Sequence, residues 1–263
     1  IRSFVLRASR ATDSQRKALE QYWGTHLIPY EAGPLDLKKH FTESRPLTVE
    51  IGFGMGDSLL KMAQADPQSN FLGIEVHRPG IGKLLHGIAQ NDLQNLKIMC
   101  HDATEIIANC FNLQSIERLL IFFPDPWPKK RHHKRRIIQA EFVELLATRL
   151  AEGGLLHLAT DWEAYALHMM KVLENEPSLI NCSGAGNYCD MPARPETKFE
   201  QRGRRLGDWA ARLDRAPDDG PARAGPQTPG PAGPGQRARL PGRPRRAGPP
   251  PYGGGHESPD SRW

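Results

Sequence analysis

The alternation of short apolar runs with amphipathic helical patterns constrains the fold of this chain most. Five apolar runs have the length of buried strands, and they occupy residues 47–53, 71–76, 96–100, 118–123 and 155–160. Between them apolar residues recur at helical spacing, as in Ile81, Leu84, Leu85 and Ile88 after Pro79. Strands that alternate with helices predict an α/β fold, with a mostly parallel, doubly wound sheet and helices on both faces.

The two ends of the chain differ from this pattern. Residues 1–45 hold one helical pattern and are predicted to form an N-terminal arm or cap on the main domain, which spans residues 46–207. Residues 208–263 are rich in Pro, Gly and Arg, and 12 of the chain's 23 prolines follow residue 214. Such a segment buries too little apolar surface to offset the entropy of ordering it, so we predict a disordered tail.

The charge of the chain is informative only where it is clustered. Of the formal net charge of +5, the residues from 215 onward contribute +4, because they hold eight arginines and four acidic residues. Residues 129–136 instead read Lys-Lys-Arg-His-His-Lys-Arg-Arg, a local field that attracts nucleic acid. A solvated helix face is the alternative for this run.

The cysteines and apolar runs indicate the compartment. Cys100, Cys110, Cys182 and Cys189 show no Cys-x-x-Cys spacing, and no apolar run is long enough to cross a bilayer. We therefore expect free thiols, a cytoplasmic location and no membrane contact. We also expect no metal site, because neighbouring histidines in the basic run point in different directions.

A glycine-rich loop, Glu50-Ile51-Gly52-Phe53-Gly54-Met55-Gly56-Asp57, follows the first predicted strand. Its glycines allow a sharp turn and leave room for a ligand against the main chain. Glu75 and Asp102 end the next two predicted strands, so one crevice would hold all these groups, and Glu75 could accept hydrogen bonds from both hydroxyls of a ribose. A tight turn and ordinary helix caps are the structural alternatives.

The glycine spacing bears on which cofactor this crevice would hold. A dinucleotide site prefers Gly-x-Gly-x-x-Gly at a helix start that faces a pyrophosphate. Here the third glycine comes one residue early, and Asp57 adds negative charge where phosphate would lie. These features disfavour NAD and favour a cofactor with a cationic centre and no phosphate, which are properties of S-adenosylmethionine.

A proline-bracketed aspartate follows the fourth predicted strand, in Pro124-Asp125-Pro126-Trp127-Pro128. The rigid prolines hold Asp125 next to the cationic run, where it could accept hydrogen bonds from N1 and the exocyclic amine of a guanine. An aspartate in a turn is the alternative. Trp127 would either stack on a base or pack in the core.

These motifs, followed by Thr160-Asp161 and Thr197-Lys198-Phe199-Glu200-x-Arg202-Gly203, occur in the order found in bacterial tRNA (guanine-N7)-methyltransferases, which the chain resembles up to about residue 207. The proline-bracketed aspartate and the Thr-Lys-Phe-Glu segment are specific to that family, whereas many methyltransferases share the glycine loop. The resemblance implies a class I methyltransferase (Rossmann-like) fold. It also implies that S-adenosylmethionine is used to methylate N7 of a guanine in the variable loop of tRNA.

The resemblance further implies roles for single residues. The family contacts its cofactor at positions that match the loop glycines Gly52, Gly54 and Gly56 and the acids Glu50, Glu75, Asp102 and Asp125. Asp125 also matches its proposed catalytic residue. The substrate-holding positions match Lys129, Asp161, Thr197, Lys198, Phe199 and Glu200, although Asp161 could instead cap a helix. The RNA-contact region matches Arg131, His132, His133, Lys134, Arg135 and Arg136. We expect a monomer or a homodimer.

The chain departs from the family after Gly207, where the family forms a last strand and this chain reads Asp208-Trp209-Ala210-Ala211-Arg212. We hypothesise that a shifted reading frame in a GC-rich gene produced the tail, because GC-rich codons encode Pro, Gly, Arg and Ala. Finding the same in-frame tail in independent isolates would remove that hypothesis. Two other functions stay open: an RNA-binding protein with an inactive methyltransferase fold, and an NAD-dependent dehydrogenase.

Overall fold

One mixed sheet organises the chain. The computed structural model describes residues 3–4 and 10–189 together with the backbone of residues 209–215. The strands are β1 (Leu27–Ile28), β2 (Leu47–Ile51), β3 (Asn70–Ile74), β4 (Leu96–Met99), β5 (Ile116–Phe122), β6 (Leu150–Thr160), β7 (Leu179–Asn181) and β8 (Trp209–Arg215). They lie in the order β1-β4-β3-β2-β5-β6-β8-β7.

Helices connect most of these strands. The α-helices are α1 (Asp13–His26), α2 (Asp57–Ala65), α3 (Arg78–Gln90), α4 (Ala103–Cys110), α5 (Ala140–Arg149) and α6 (Glu163–Glu174). Short 3₁₀ helices occupy Leu37–Lys39 and Lys130–Arg135. Helices α2 to α5 each link two parallel strands, which is the crossover connection that a parallel sheet requires.

The five strands predicted from the apolar runs are β2 to β6. From β1 to β6 all neighbouring strands pair in parallel, and β8 is antiparallel to both of its neighbours, β6 and β7. Every residue of β2 and β3 is buried, as expected for strands that are covered on both faces. The prediction of a mostly parallel sheet is confirmed.

Two apolar clusters fill the spaces between the sheet and its helices. Helices α1, α2 and α3 contribute to one cluster, and α4, α5 and α6 contribute to the other. The strands supply both by alternation: in β5, Leu119 and Ile121 join the second cluster, whereas Leu120 and Phe122 join the first. The sheet is therefore doubly wound, as predicted.

Local signals fix the starts of several helices. Thr12 caps α1 reciprocally with Gln15: the Gln15 N–H donates to Thr12 Oγ1 at 3.3 Å, and the Thr12 N–H donates to Gln15 Oε1 at 2.8 Å. Pro79 lies in the first turn of α3, where its missing N–H has no intrahelical partner to lose. Helix α3 thus starts at Arg78, soon after β3 ends at Ile74.

The strand order reverses at β2. The chain moves from β2 outward to β3 and β4, and then returns to β5 on the other side of β2. Strands β2 and β5 pair in parallel up to Ile51 and Ile121, so the loops at their carboxyl ends diverge and leave a crevice between them. The glycine loop and the proline segment both leave the sheet at this point.

The predicted N-terminal segment, residues 1–45, adds a strand to the sheet. Strand β1 pairs in parallel with β4, through Leu27 with Ile98 and Ile28 with Met99. Helix α1 packs against α3, so it covers the sheet as the predicted cap would. The residues of α1 and β1 are therefore part of the sheet domain. A strand of two residues is too short to produce an apolar alternation in the sequence.

The chain forms a further strand beyond the predicted boundary at residue 207. Strand β8 lies between β6 and β7 and is antiparallel to both. The chain thus forms a strand where its sequence departs from the family, because ladder hydrogen bonds involve the backbone and tolerate many side chains. Residues 190–208 and 216–263, including the rest of the predicted tail, lie outside the described residues.

Leu213 offers a test of this pairing, since it is in register with Leu156 of β6 and with Asn181 of β7. Proline at this position removes a backbone donor from a strand with neighbours on both sides. We expect Leu213→Pro to lower the free energy of unfolding by on the order of 3 kcal/mol. Leu213→Ala retains the N–H and is the matched control. Urea denaturation followed by circular dichroism measures both, and equal losses would contradict the pairing.

Candidate active site

A crevice opens at the carboxyl ends of β2 to β5. Its volume is about 900 Å³, and its walls are the glycine loop, the residues after β3 and β4, and the beginning of the proline segment. Ser3 and Phe4, far away in the sequence, also line it. A cavity of this size at a switch point is the usual ligand site of an open α/β sheet.

The glycine loop depends on backbone conformations that other residues rarely adopt. Gly52, Gly54 and Gly56 have φ angles of 74°, 58° and 75°. The Gly52 N–H continues the sheet by donating to the Ile74 carbonyl at 2.8 Å. Gly56 is the N-cap of α2 and offers no side chain to the helix N–H groups. The loop therefore presents main chain to the crevice.

The carboxylate of Glu75 anchors this loop. Its Oε2 accepts a hydrogen bond from the Gly54 N–H at 2.9 Å, and its Oε1 accepts from the N–H groups of Val76 at 2.7 Å and His77 at 3.0 Å. Each carboxylate oxygen has two lone pairs, so Oε2 retains acceptor capacity for a ligand. The ribose contact stays a prediction, and the anchoring role is an addition to it.

Helix α3 packs against the same loop with almost no free space. A Cβ on Gly80 would lie 1.9 Å from the Gly54 carbonyl oxygen, and a Cβ on Gly56 would lie 2.9 Å from Leu84. Glycine at position 80 therefore allows the first turn of α3 to approach the loop. The Gly54 N–H is thus bonded to Glu75, and its C=O lies against the first turn of α3.

Asp57 does not present an uncompensated negative charge. Its Oδ1 lies 2.5 Å from Nζ of Lys83 in α3, in an ion pair whose side chains are 39% and 36% exposed. Asp57 therefore opposes a phosphate ligand less than its charge alone suggests. The glycine spacing still argues against a dinucleotide.

Glu50 and Asp102, two further predicted cofactor acids, differ in their surroundings. Glu50 is 3% exposed and lines the crevice from β2. Asp102 is the N-cap of α4, where its Oδ1 accepts hydrogen bonds from the Thr104 N–H at 2.9 Å and the Thr104 hydroxyl at 2.8 Å. The Asp102 side chain thus caps a helix, which is the structural alternative to cofactor contact. Its neighbours His101 and Ala103 line the crevice.

His101 is a crevice residue that the sequence analysis does not single out. Its ring stacks on Tyr30 with centroids 3.8 Å apart, and its Nε2 lies 2.6 Å from Glu105 Oε2. Tyr30 in turn accepts a hydrogen bond from the Asn109 amide at 2.9 Å. Only the position of His101 directly before Asp102 could have indicated it.

The proline segment places Asp125 at the crevice with a strained backbone on either side. Phe123 and Trp127 have φ angles of 51° and 45°, in the left-handed region that bulky residues avoid. Each such residue costs on the order of 1–3 kcal/mol and persists only where its surroundings hold it. Asp125 lies between them, half-buried and lining the crevice.

Trp127 is engaged by protein groups. Its indole N–H donates to the Ser3 carbonyl at 3.2 Å, and the guanidinium of Arg135 lies 5.0 Å from its ring centroid. His132 meets its edge at 5.8 Å. These contacts favour the packing alternative for Trp127 and draw the N-terminal Ser3 to the site.

The basic run forms a 3₁₀ helix, Lys130–Arg135, directly after the proline segment. Lys129, Lys130, Arg131 and Lys134 are exposed, and His132, His133 and Arg135 are half-buried. The exposed cations form a surface beside the crevice that holds Asp125. Their contact with RNA stays a prediction.

Arg136, the last residue of the basic run, turns inward. It is 4% exposed, and its contact with RNA stays a prediction. Its Nε donates to the Pro126 carbonyl at 2.9 Å. The sequence places Arg136 among seven other basic residues and gives no sign that it turns inward.

The predicted substrate residues separate into two groups. Asp161 is exposed directly after β6, and the N-cap of α6 falls on Trp162, so the capping alternative is wrong for Asp161. Its substrate contact stays a prediction. Thr197, Lys198, Phe199, Glu200 and Arg202 lie outside the described residues.

Within the residues described, no group of three or more His, Cys, Asp or Glu side chains could hold a metal ion, and the four cysteines are free. No helix in this part of the chain has the length and apolar character of a membrane span.

Relatives with assigned names identify the family. A family model described as a putative methyltransferase matches residues 44–213. The tRNA (guanine-N7)-methyltransferases of Pseudomonas putida and Pseudoalteromonas atlantica are 49% and 50% identical to the chain over 218 residues, which cover 82% of the chain and 91% of each relative. The chain belongs to the tRNA (guanine-N7)-methyltransferase family. The enzyme of that name from Yersinia pestis is 50% identical over the same length.

Solved structures agree with the fold at much lower identity. The aminoglycoside resistance methyltransferase NpmB1 superposes with a TM-score of 0.51 at 14% identity, over 71% of this chain and 95% of that one. The 16S rRNA methyltransferase KamB gives 0.51 at 13% identity, over 73% and 99%. The class I methyltransferase fold predicted for this family member is confirmed.

The contact between Gly80 and the glycine loop can be tested by substitution. In Gly80→Ala the added methyl group would overlap the Gly54 carbonyl, at a cost of about 1–3 kcal/mol, and should displace Gly54 from its position in the loop. We therefore expect at least about tenfold weaker binding of S-adenosylmethionine. Isothermal titration calorimetry measures the affinity. The control is Gly24→Ala in α1, where an added Cβ has no atom within 4 Å and should leave binding unchanged. Unchanged affinity in Gly80→Ala would contradict this account of the loop.

Proposed function

We propose that this chain transfers the methyl group of S-adenosylmethionine to N7 of a guanine in the variable loop of tRNA. The observation that carries the proposal is the position of Asp125, which lines the crevice at the switch point and is followed directly by an exposed cationic surface. Relatives that are 49% and 50% identical to the chain are named for this reaction, which supports the proposal. We place this activity in the cytoplasm, in keeping with the free thiols.

The crevice suits the proposed cofactor. Its volume of about 900 Å³ is large enough for a nucleoside with an amino-acid chain. Glu50 and Glu75 supply negative charge, which suits a sulfonium and hydroxyl groups and opposes a phosphate. Gly52 and Gly54, where an added Cβ would meet no protein atom, let a ligand approach the main chain. When bound, S-adenosylmethionine supplies an electrophilic methyl group.

The chemistry requires alignment and charge stabilisation from the protein. Guanine N7 has an in-plane lone pair and no proton, so methyl transfer needs no general base. We propose that the Asp125 carboxylate accepts hydrogen bonds from guanine N1 and the exocyclic amine. Those contacts orient N7, and the negative charge stabilises the positive charge that develops on the purine.

The RNA side of the site is proposed to work mainly by charge. Lys129, Arg131 and Lys134 would contact phosphates, together with the half-buried basic residues of the same 3₁₀ helix. Asp161, exposed at the end of β6, would hold the substrate with residues 197–200. A guanine in a loop is easier to extrude than one in a duplex, which suits a variable-loop target.

Methyl transfer to tRNA tests the proposal directly. The full chain is incubated with S-adenosylmethionine, labelled in its methyl group, and with a tRNA transcript, and the nucleosides are separated by mass spectrometry. We expect labelled 7-methylguanosine, and none in a transcript whose variable-loop guanine is replaced by adenine. An absence of label, or label on another base, would refute the proposed function. Reduction of a nicotinamide cofactor instead would support the dehydrogenase alternative.

Substitutions of Asp125 and Glu75 should affect different quantities, the rate in one case and the cofactor affinity in the other. We expect Asp125→Ala to reduce the single-turnover rate by about 10²-fold or more while cofactor affinity changes less, because its main contacts are to the purine. Glu75→Gln should mainly weaken cofactor binding, since it removes the charge that anchors Gly54. Rapid-quench kinetics and calorimetry measure the two effects. A near-normal rate in Asp125→Ala would refute its role.

The salt dependence of tRNA binding tests the cationic surface. Each phosphate contact that is lost should reduce the slope of log affinity against log salt concentration by about one. We expect this reduction in Lys134→Gln, measured by fluorescence anisotropy at several salt concentrations. Lys61→Gln is the control, because Lys61 is also exposed but lies on α2, which packs on the opposite face of the sheet from α5 and α6. Identical slopes for the two variants would contradict the RNA contact.

A further inference from the structure

Arg136 ends a run of basic residues but lies inside the protein. Residues Lys129 to Arg131 and Lys134 are exposed, whereas Arg136 is 4% exposed. Burying a guanidinium is costly unless its donors are used, so its contacts indicate what it does.

The guanidinium of Arg136 joins three parts of the structure. Its Nε donates to the Pro126 carbonyl at 2.9 Å, and its Nη2 lies 3.2 Å from His133 Nε2. Its plane also covers the ring of Tyr165 in α6, with its central carbon 4.7 Å from the centroid. Because a guanidinium only donates, the second contact requires an unprotonated His133 Nε2.

The ring that supports Arg136 is itself fixed. Tyr165 is fully buried, and its hydroxyl accepts a hydrogen bond from the Ile138 N–H at 3.3 Å. Burial raises the pKa of Tyr165, so the ring stays neutral and offers its face to the cation. The platform under Arg136 is therefore rigid core.

The main chain of Arg136 is held as well. The amide of Gln139 donates to the carbonyl of His133 at 2.9 Å and to the carbonyl of Arg136 at 3.1 Å. Gln139 is the N-cap residue of α5, so these bonds tie the end of the 3₁₀ helix to the start of α5. Backbone and side chain of Arg136 are thus both restrained.

The acceptor of the main Arg136 bond lies next to Asp125. Pro126 follows Asp125 directly, and its carbonyl belongs to the peptide that leads into Trp127, whose φ angle is 45°. A strained conformation persists only if the surroundings stabilise it, and a charged donor gives a stronger hydrogen bond than a neutral one. The Arg136 bond therefore stabilises the bend that directs Asp125 to the crevice.

We propose that Arg136 is a positioning residue for Asp125: its guanidinium holds the Pro126 carbonyl and thereby fixes the proposed catalytic carboxylate in the crevice. This inference rests on the proposed function. It assigns the last arginine of the basic run to the reaction geometry and leaves phosphate contact to the exposed cations before it.

The first experiment measures Arg136→Gln in the full chain under single-turnover conditions, with saturating S-adenosylmethionine and tRNA. We expect the rate to fall about 10²-fold, because small displacements of a reacting group have effects of that size. Cofactor affinity and the salt slope of tRNA binding should stay near the wild-type values. A wild-type rate would overturn the proposal, and so would a salt slope reduced as far as in Lys134→Gln.

Arg149 provides a matched control for the loss of an arginine that binds carbonyl groups. Its Nε donates to the Ile107 carbonyl at 3.1 Å and its Nη2 to the Ala108 carbonyl at 3.0 Å. It ends α5 just before β6 begins, which is the end of the sheet opposite to the crevice. Arg149→Gln should lower thermal stability and leave the methylation rate unchanged. An equal fall in rate in both variants would reduce Arg136 to a structural role and overturn the proposal.

A double-mutant cycle separates positioning from independent effects. Once Asp125 is alanine there is no carboxylate to position, so adding Arg136→Gln should reduce the rate little further. Multiplicative effects of the two substitutions would overturn the proposal. Rates are normalised to the concentration of cofactor-binding sites, which removes unfolded protein from the comparison.

A conservative variant keeps the test decisive if Arg136→Gln folds poorly. Arg136→Lys retains the charge but cannot donate to Pro126 and His133 while stacking on Tyr165, so its rate should also fall. A wild-type rate in Arg136→Lys would overturn the proposal. Failure of the proposed function appears separately, as an absence of methyl transfer by the wild-type chain, whatever the Arg136 variants do.

Discussion

The carboxylate of Glu75 is the interaction on which the cofactor side of the crevice depends. It accepts from Gly54 in the loop after β2 and from Val76 and His77 after β3, so one side chain joins the exits of two neighbouring strands. Glycines leave a loop free to adopt many conformations, and bonds to a charged acceptor are strong enough to select one of them. Gly80 completes the restraint by admitting α3 against the Gly54 carbonyl.

The two sides of the site are built by different means. The cofactor side consists of main chain in left-handed conformations and a few carboxylates at strand ends. The proposed RNA side consists of cationic side chains on a 3₁₀ helix. They meet at Asp125, where Phe123 and Trp127 store backbone strain and Arg136 restrains the turn. A rigid acid between a shaped pocket and an adaptable surface suits a reaction whose main requirement is alignment.

The sequence predicts features that repeat or that lie close together in the chain. The apolar runs predict β2 to β6, since burial on both faces leaves a continuous signal, and the glycines with Glu75 predict the crevice. Contacts between distant residues leave no such signal. Trp127 binds Ser3, and Asp57 is paired with Lys83. Arg136 shows this most clearly, because nothing in the sequence of a basic run distinguishes a buried arginine from an exposed one.

Strand β8 has a consequence for the order in which the chain can fold. It occupies the space between β6 and β7, so the outer edge of β6 gains its partner only after residues 209–215 have been synthesised. Until they leave the ribosome, the nascent sheet carries an unpaired edge of the kind that recruits other strands. The edge of β6 thus stays open from the synthesis of β6 until β8 has paired, a period that begins after the crevice residues have been synthesised.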